Sequence, residues 1–336
     1  MKNLLYIGNK LAETNKTVTT IDTLSKKLCD EGYNVVSVSD KKNKIFRLFD
    51  MLLHIIKYRK QVDYVLIDTY STLNFYYAYL CAVLCKFLNL KYVPILHGGN
   101  LPERLKTSPK LCNTIFKNAA INIAPSLYIK LIFEDFGFVN IIYIPNSIDI
   151  GKYRFKNRAF KQVKLLWVRS FSKIYNPLLA VKVVKALKDD HIEATLCMVG
   201  PDKDGSLETA KMLAKQLDID VKFTGKLSKE AWITLSKHYN IFINTTNFDN
   251  MPVSVIEAMA LGLPVISTQV GGMPFLIEHG VDGMLVNPND EAAFVNAVKT
   301  LMSQENKAEK IAELARKKVE NFDWEVIKKQ WLNVLS

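Results

Sequence analysis

The chain has 336 residues, 49% of them hydrophobic, a net charge of +12 and five cysteines. This length predicts two domains of roughly 150 residues each. The longest uninterrupted apolar run, Phe75 to Cys85, falls well short of the roughly 20 residues that a membrane span needs.

The opening run Leu4–Gly8 is too short for the core of a secretory signal. Cys29, Cys81, Cys85, Cys112 and Cys197 form no C-x-x-C pair and read as small core residues of a reducing compartment. A cytoplasmic chain, or one peripheral at the inner face of the cell membrane, is therefore expected. The positive charge suits an anionic partner, a phosphorylated ligand or an acidic membrane surface. No zinc knuckle, arginine-rich tract or RNA-binding motif supports nucleic acid.

The first half alternates short apolar runs with helical patterns. Leu4–Gly8, Asn34–Ser39, Tyr64–Thr69, Lys91–His97, Ile121–Pro125 and Ile141–Pro145 read as strands, with helices over Thr17–Asp30, Ile45–Arg59, Thr72–Leu88 and Ser126–Phe136. Pro94 conflicts with its strand, because it has no N–H to give a ladder. The second half restarts the pattern. Strands are expected at Lys164–Arg169, Ala194–Val199, Val221–Thr224, Ile241–Thr245, Val265–Thr268 and Gly283–Val286. Helices are expected at Pro177–Leu187, Leu207–Leu217, Lys229–Tyr239, Val253–Leu261, Glu291–Met302, Lys307–Val319 and Trp324–Leu335. The alternation predicts two doubly wound parallel-sheet domains, over 1–150 and 162–320, with a polar linker over 151–161 and a final helix in 321–336.

Ligands of such sheets bind beyond the carboxyl ends of the strands, and the notable polar residues follow strands. Gly8-Asn9-Lys10 follows the first, with Thr17, Thr19 and Thr20 at the next helix start. His97-Gly98-Gly99-Asn100 follows the fourth, and its glycines let backbone approach a ligand closely. Arg169 ends a strand and Lys173 follows it; a guanidinium fork and a mobile ammonium suit a diphosphate. Gly200 and Lys226-Leu227 lie in two further strand-to-loop turns.

The segment from Asn247 to Gly272 is the most informative. Pro252 suits the first position of a helix, which Gly262 ends. Asp249 stands just before that helix and Glu257 in its second turn. The free N–H groups of the helix start attract anions. The arrangement can hold a negatively charged leaving group beside a hydroxyl-rich sugar.

The string Asp249-Asn250-Met251-Pro252, then Glu257-Ala258-Met259-Ala260-Leu261-Gly262-Leu263-Pro264-Val265, resembles the signature of glycosyltransferase family 4. These are retaining enzymes with nucleotide-sugar donors and the GT-B fold, two Rossmann-like domains facing across a cleft. Asp249 replaces the usual Glu and Asn250 the usual Gly. Pro145-Asn146-Ser147-Ile148-Asp149 resembles the family's hinge string, with Ser for Gly.

The resemblance implies that the first domain receives the acceptor, the second binds the donor, and the last helix crosses back to the first. It implies catalytic roles for Arg169, Lys173, Asp249, Glu257 and His97. Arg169 and Lys173 would stabilise the departing diphosphate, Asp249 would contact sugar hydroxyls, Glu257 the ribose, and His97 the donor sugar or its phosphate. Donor contacts are implied at Gly8, Asn9, Gly200, Lys226, Leu227, Asn250, Met251, Pro252 and Val253. No metal or other cofactor is implied.

The stretch 41–60 carries Lys41, Lys42, Lys44 and Arg47 at one end and Lys57, Arg59 and Lys60 at the other. Ile45, Leu48, Phe49, Leu52, Ile55 and Ile56 recur between them at helical spacing, opposite Arg47, Asp50, His54 and Lys57. A helix packed on the first sheet and a helix resting on an anionic membrane both fit. The expected activity is retaining transfer from a nucleotide sugar to a glycan or lipid-linked acceptor, in bacterial surface polysaccharide synthesis. Three alternatives stand beside it. One is a metal-dependent GT-A enzyme using Asp202-Lys203-Asp204 or Asp218-Ile219-Asp220. The others are a nucleotide-sugar epimerase of GT-B architecture and a non-catalytic adaptor of the same fold.

Overall fold

The computed structural model describes residues 2–10, 19–159, 162–304 and 306–336. They divide into two compact units, one of Met1–Pro145 with Gln330–Ser336 and one of Asn146–Lys329. The stretch expected as a linker belongs to the second unit. There Arg158 donates to the carbonyls of Ser236, Tyr239 and Leu261 at 2.7 to 3.2 Å.

The first unit is built on β1 (Asn3–Ile7), β2 (Asn34–Val38), β3 (Tyr64–Thr69), β4 (Tyr92–Leu96), β5 (Asn122–Ala124) and β6 (Ile141–Tyr143). All pair in parallel, in the order β2-β1-β3-β4-β5-β6. Every residue of β3 and β4 is buried, as expected of strands covered on both faces. The helices are α1 (Thr20–Asp30), α2 (Lys44–Tyr58), α3 (Asn74–Phe87), α4 (Leu101–Thr107), α5 (Pro109–Phe116) and α6 (Leu127–Asp135). The sequence pattern missed α4 and α5, two short helices that meet at Ser108.

Pro94 does lie inside a central strand. The Lys91 carbonyl accepts from Val65 on β3, and the Tyr92 carbonyl accepts from Ala120 on the opposite side. By alternation the Pro94 nitrogen faces β5, where Ile95↔Ile123 is the pairing in register. The missing donor therefore falls on the sparsely bonded side of the strand.

Helix α2 sits differently from the expected apolar stripe. Its buried residues are Arg47, Met51 and Ile55, while Ile45, Phe46, Phe49, Leu53 and Ile56 are exposed. Arg47 turns inward because its guanidinium has acceptors there, the carbonyls of Lys41 at 2.7 Å and Lys42 at 3.1 Å and Asn9 Oδ1 at 3.1 Å. Asp50 faces the same way and accepts from Ser39.

The second unit repeats the plan with β7 (Val163–Val168), β8 (Ala194–Val199), β9 (Val221–Gly225), β10 (Ile241–Asn244), β11 (Val265–Thr268) and β12 (Met284–Val286), in the parallel order β12-β11-β10-β7-β8-β9. Its helices are α7 (Pro177–Asp189), α8 (Ser206–Gln216), α9 (Lys229–Ser236), α10 (Val253–Ala260), α11 (Met273–Leu276), α12 (Glu291–Ser303) and α13 (Lys307–Glu320). The final helix, α14 (Trp324–Val334), starts in this unit, and its residues from Gln330 onward belong with the first.

Strand order fixes where each unit can build a site. In the first, the chain reverses direction of winding between the neighbours β1 and β3; in the second, between β7 and β10. The loops leaving those strand pairs diverge and leave a crevice at the carboxyl ends. Gly8 and Asp68 mark the first crevice, Arg169 and the segment leading to Asp249 the second.

Candidate functional site

In the second unit, Arg169 leaves β7 with its N–H bonded to the Val199 carbonyl at 3.0 Å. Its guanidinium forms an ion pair with Asp249 Oδ2 and lies over the Tyr175 ring at 4.3 Å. Burial lowers the Arg169 pKa below the usual arginine range, opposed by Tyr175. Arg169 Nε is buried without a hydrogen-bond partner. The backbone beneath is crowded. A Cβ on Gly200, whose φ is +152°, would lie 1.7 Å from the Arg169 carbonyl oxygen. Gly200 thus supports Arg169, a role that the sequence did not suggest.

Asp249 and Asn250 are pinned from the other side by Gly271 and Gly272. A Cβ on Gly271 would stand 2.0 Å from the Asp249 carbonyl oxygen, and one on Gly272 would stand 1.8 Å from that of Asn250. The Gly272 N–H donates to the Asp249 carbonyl at 3.0 Å. This close passage brings the end of the β11 loop against the segment that precedes α10.

Pro252 caps α10 and is not its first helical residue, because its ψ of 120° is extended. The Pro252 carbonyl accepts from Val255 at 3.1 Å. Asn250 and Met251 are buried and Val253 is exposed. The hydroxyl oxygen of Ser254, in the first turn, is buried without a partner. The N–H groups of a helix start and the Arg169 guanidinium are donors that attract an anion, while Asp249 Oδ2, also buried, is the acid that holds the guanidinium in its place.

Glu257 is buried one turn further along. Its Oε1 accepts from the Tyr153 hydroxyl at 2.7 Å and pairs with the Lys229 ammonium. Burial, then the Glu257 charge, raises the Tyr153 pKa far above the usual tyrosine range. Neither Tyr153 nor Lys229 was singled out from the sequence.

Lys173 is exposed, in a short 3₁₀ turn whose N–H donates to Asp204 Oδ2 at 2.9 Å. Lys226 is exposed and Leu227 half-buried, both just beyond β9. Asp204 also accepts from Ser172 Oγ at 2.9 Å and from Ser206, while Asp202 accepts from the N–H groups of Gly205 and Leu207 at 3.1 and 3.4 Å. The first D-x-D string thus braces the start of α8 and the Lys173 turn.

In the first unit, His97 Nε2 and the Tyr6 hydroxyl both lie 2.8 Å from Asp68 Oδ1. The Tyr70 ring lies 5.4 Å from that of His97. Asp68 Oδ2 is buried and unpartnered, and a Cβ on Gly8 would come within 2.5 Å of it. Gly8, Asn9, Asp68, Tyr70 and Asn74 help to line a small cavity there. Asn9 is tied to Arg47 through its Oδ1, and its carbonyl accepts from Thr19 Oγ at 3.1 Å. Thr17 lies outside the described residues. Asp68 was read only as a strand residue; its position at the β1/β3 crevice becomes visible once strand order is known.

The model of the family described as "Glycosyl transferases group 1" matches residues 149–318, more than half of the chain. The chain belongs to the group 1 glycosyltransferases. The family 4 resemblance is consistent with this assignment. The chain is 28% identical over 272 residues to N-acetyl-alpha-D-glucosaminyl L-malate synthase of Bacillus anthracis, covering 75% of this chain and 70% of that protein. It is 27% identical over 148 residues to sulfoquinovosyl transferase SQD2 of Arabidopsis thaliana, covering 43% of this chain and 28% of that one. The match thus spans less than a third of the SQD2 protein.

Among solved structures, HepE of Anabaena in complex with UDP and glucose superposes with a TM-score of 0.80 at 18% identity, over 100% of this chain and 99% of that one. Sucrose-phosphate synthase of Thermosynechococcus elongatus gives 0.83 at 16% identity, over 99% and 98%. These likenesses establish the two-domain α/β fold of GT-B type. Two parallel sheets also remove the GT-A alternative. The group 1 match falls on the unit that holds Arg169, Asp249 and Glu257.

Proposed function

We propose that this group 1 glycosyltransferase moves a sugar from a nucleotide-sugar donor to a glycan or lipid-linked acceptor and keeps the anomeric configuration. The reading places it in bacterial surface polysaccharide synthesis, at the inner face of the cell membrane. One observation carries it: Arg169, ion-paired with Asp249 at the β7/β10 crevice, keeps its Nε buried without a hydrogen-bond partner. The solved structures of HepE with UDP and with UDP-glucose support a donor of this class.

On this reading the diphosphate takes Arg169 over from Asp249. The guanidinium then offsets the charge that grows as the bond from anomeric carbon to phosphate oxygen breaks, with Lys173 and the amides at the start of α10 adding to it. Asp249, released, accepts from sugar hydroxyls. Glu257, fixed by Tyr153 and Lys229, accepts from the ribose. Gly200, Lys226 and Leu227 border the nucleotide. The acceptor oxygen bonds the anomeric carbon on the face that the phosphate leaves, and its proton passes to the departing diphosphate.

With Arg169 and Lys173 supplying positive charge, no metal is needed. NMR of the product's anomeric proton and turnover in excess EDTA test the proposal. An inverted product, or activity lost to EDTA and restored by manganese, overturns it.

A further inference from the structure

Helices α2 and α3 lie side by side in the first unit, joined by the Tyr77 hydroxyl donating to the Lys44 carbonyl at 3.0 Å. Each turns an apolar stripe outward. On α2 the exposed residues are Ile45, Phe46, Phe49, Leu53 and Ile56; on α3 and its first turn they are Leu73, Tyr76, Leu80, Val83 and Phe87. From Phe46 on α2 and from Leu73 on α3 they recur every three or four residues, so each set is one continuous face of its helix. Phe46 is 68% exposed and Phe87 81%. Stripes of this size on two adjacent helices mark an interaction surface, whereas scattered exposed apolar residues do not.

The charges around this surface are mainly positive; the exposed Asp40 is taken up in an ion pair with Lys41 at 3.1 Å. Lys41, Lys42 and Lys44 stand at one end of α2, and Lys57, Arg59 and Lys60 at the other, all exposed. Lys86 adds to the set on α3. The single acid of the two helices, Asp50, faces away and accepts from Ser39. A second copy of the chain would present the same lysines, so self-association over this face sets like charges together. Negative charge above an apolar layer is the complement of this pattern, and that is the chemistry of an anionic lipid surface.

We propose that the α2–α3 face docks on anionic membrane, with the two apolar stripes entering the headgroup boundary and the lysines contacting lipid headgroups. This deepens the proposed function by assigning the surface that brings the chain to lipid-linked acceptors. It rests on that reading only for its purpose, because docking needs neither donor nor turnover.

The test is co-sedimentation of the full chain with vesicles of phosphatidylcholine alone or mixed with phosphatidylglycerol, at low and high salt. Binding should require phosphatidylglycerol and weaken with salt, because screening shortens the reach of surface charge. Replacing Phe46, Phe49 and Leu53 together by serine should weaken it by at least about tenfold, with the thermal midpoint unchanged because all three are exposed. Lys41→Glu with Lys42→Glu and Lys44→Glu should weaken it by about fivefold or more per site. Three results overturn the proposal: no binding to either vesicle, binding indifferent to lipid charge, or a dimer in size-exclusion chromatography that the serine variant abolishes. Retained transfer to a soluble acceptor in a variant that no longer sediments separates failure of docking from failure of the transfer reading.

Discussion

Tyr153 donates a 2.7 Å hydrogen bond to Glu257, a residue 104 positions away in the chain. Because burial keeps this phenol protonated throughout the neutral range, the bond is a permanent support for the carboxylate. Tyr153→Phe keeps the ring in the core and removes the donor. A charge-assisted bond of this kind contributes about 1.5 to 3 kcal/mol, so the urea midpoint should fall accordingly at unchanged slope. An unchanged midpoint would show that Lys229 alone fixes Glu257.

Arg169 is the residue on which the proposed chemistry depends most. Arg169→Ala should cost about 3 kcal/mol of transition-state stabilisation, the scale of one preorganised donor, and so about two orders of magnitude in turnover. Arg169→Lys keeps the charge and loses the planar fork, and should fall between the two. Steady-state kinetics decide, and near-normal turnover in the alanine variant removes Arg169 from the reaction.

Gly271→Ala should be damaging where Gly151→Ala is not. A Cβ on Gly271 meets the Asp249 carbonyl oxygen at 2.0 Å with φ at +54°, whereas nothing lies within 4 Å of one on Gly151. Forcing atoms into packed space costs about 1 to 3 kcal/mol. Chemical denaturation should show that loss for Gly271→Ala and none for Gly151→Ala. Activity should fall further than stability, because the displaced backbone carries Asp249.

Asp204 supplies a pH dependence. Hydrogen bonds from Ser206, the Lys173 N–H and Ser172 lower its pKa from 3.8 to about 2. A carboxylate lowered on folding stabilises the fold above its unfolded pKa, and that contribution disappears as pH falls through the folded value. The contribution of Asp204 should therefore decline between about 3.8 and about 2. Asp204→Asn should flatten the decline of stability with acid over that interval, as followed by circular dichroism. An unchanged slope would refute the bracing role of Asp204.

Most strands and helices were legible because their side-chain periods, two and 3.6, are written into the chain. Period gives the axis of a helix's apolar face but not what covers it. For α2 the buried side is set by Arg47, which finds carbonyls 5 and 6 residues back and Asn9 Oδ1, and no count of apolar residues reveals those acceptors. Helices α4 and α5, of seven and eight residues, escaped because they meet at Ser108 and break each other's pattern, with no signature string to mark them as one marks α10. Asp249 and Glu257 stood out through the string around Pro252, and Arg169 through its place at the end of a strand. Their supports Tyr153, Lys229 and Gly271 did not, and Gly200 stood out only as a donor contact, because strand order decides which distant loops meet. Asp68 was hidden in the same way, inside a run that reads as ordinary strand.

Gly200 carries a consequence for heredity. Every amino acid that could replace it brings a Cβ, and the place for that atom lies 1.7 Å from the Arg169 carbonyl oxygen. No missense change at codon 200 is then conservative. A screen of random variants selected for activity should return glycine there alone, so position 200 would register as intolerant although its own side chain is a hydrogen atom.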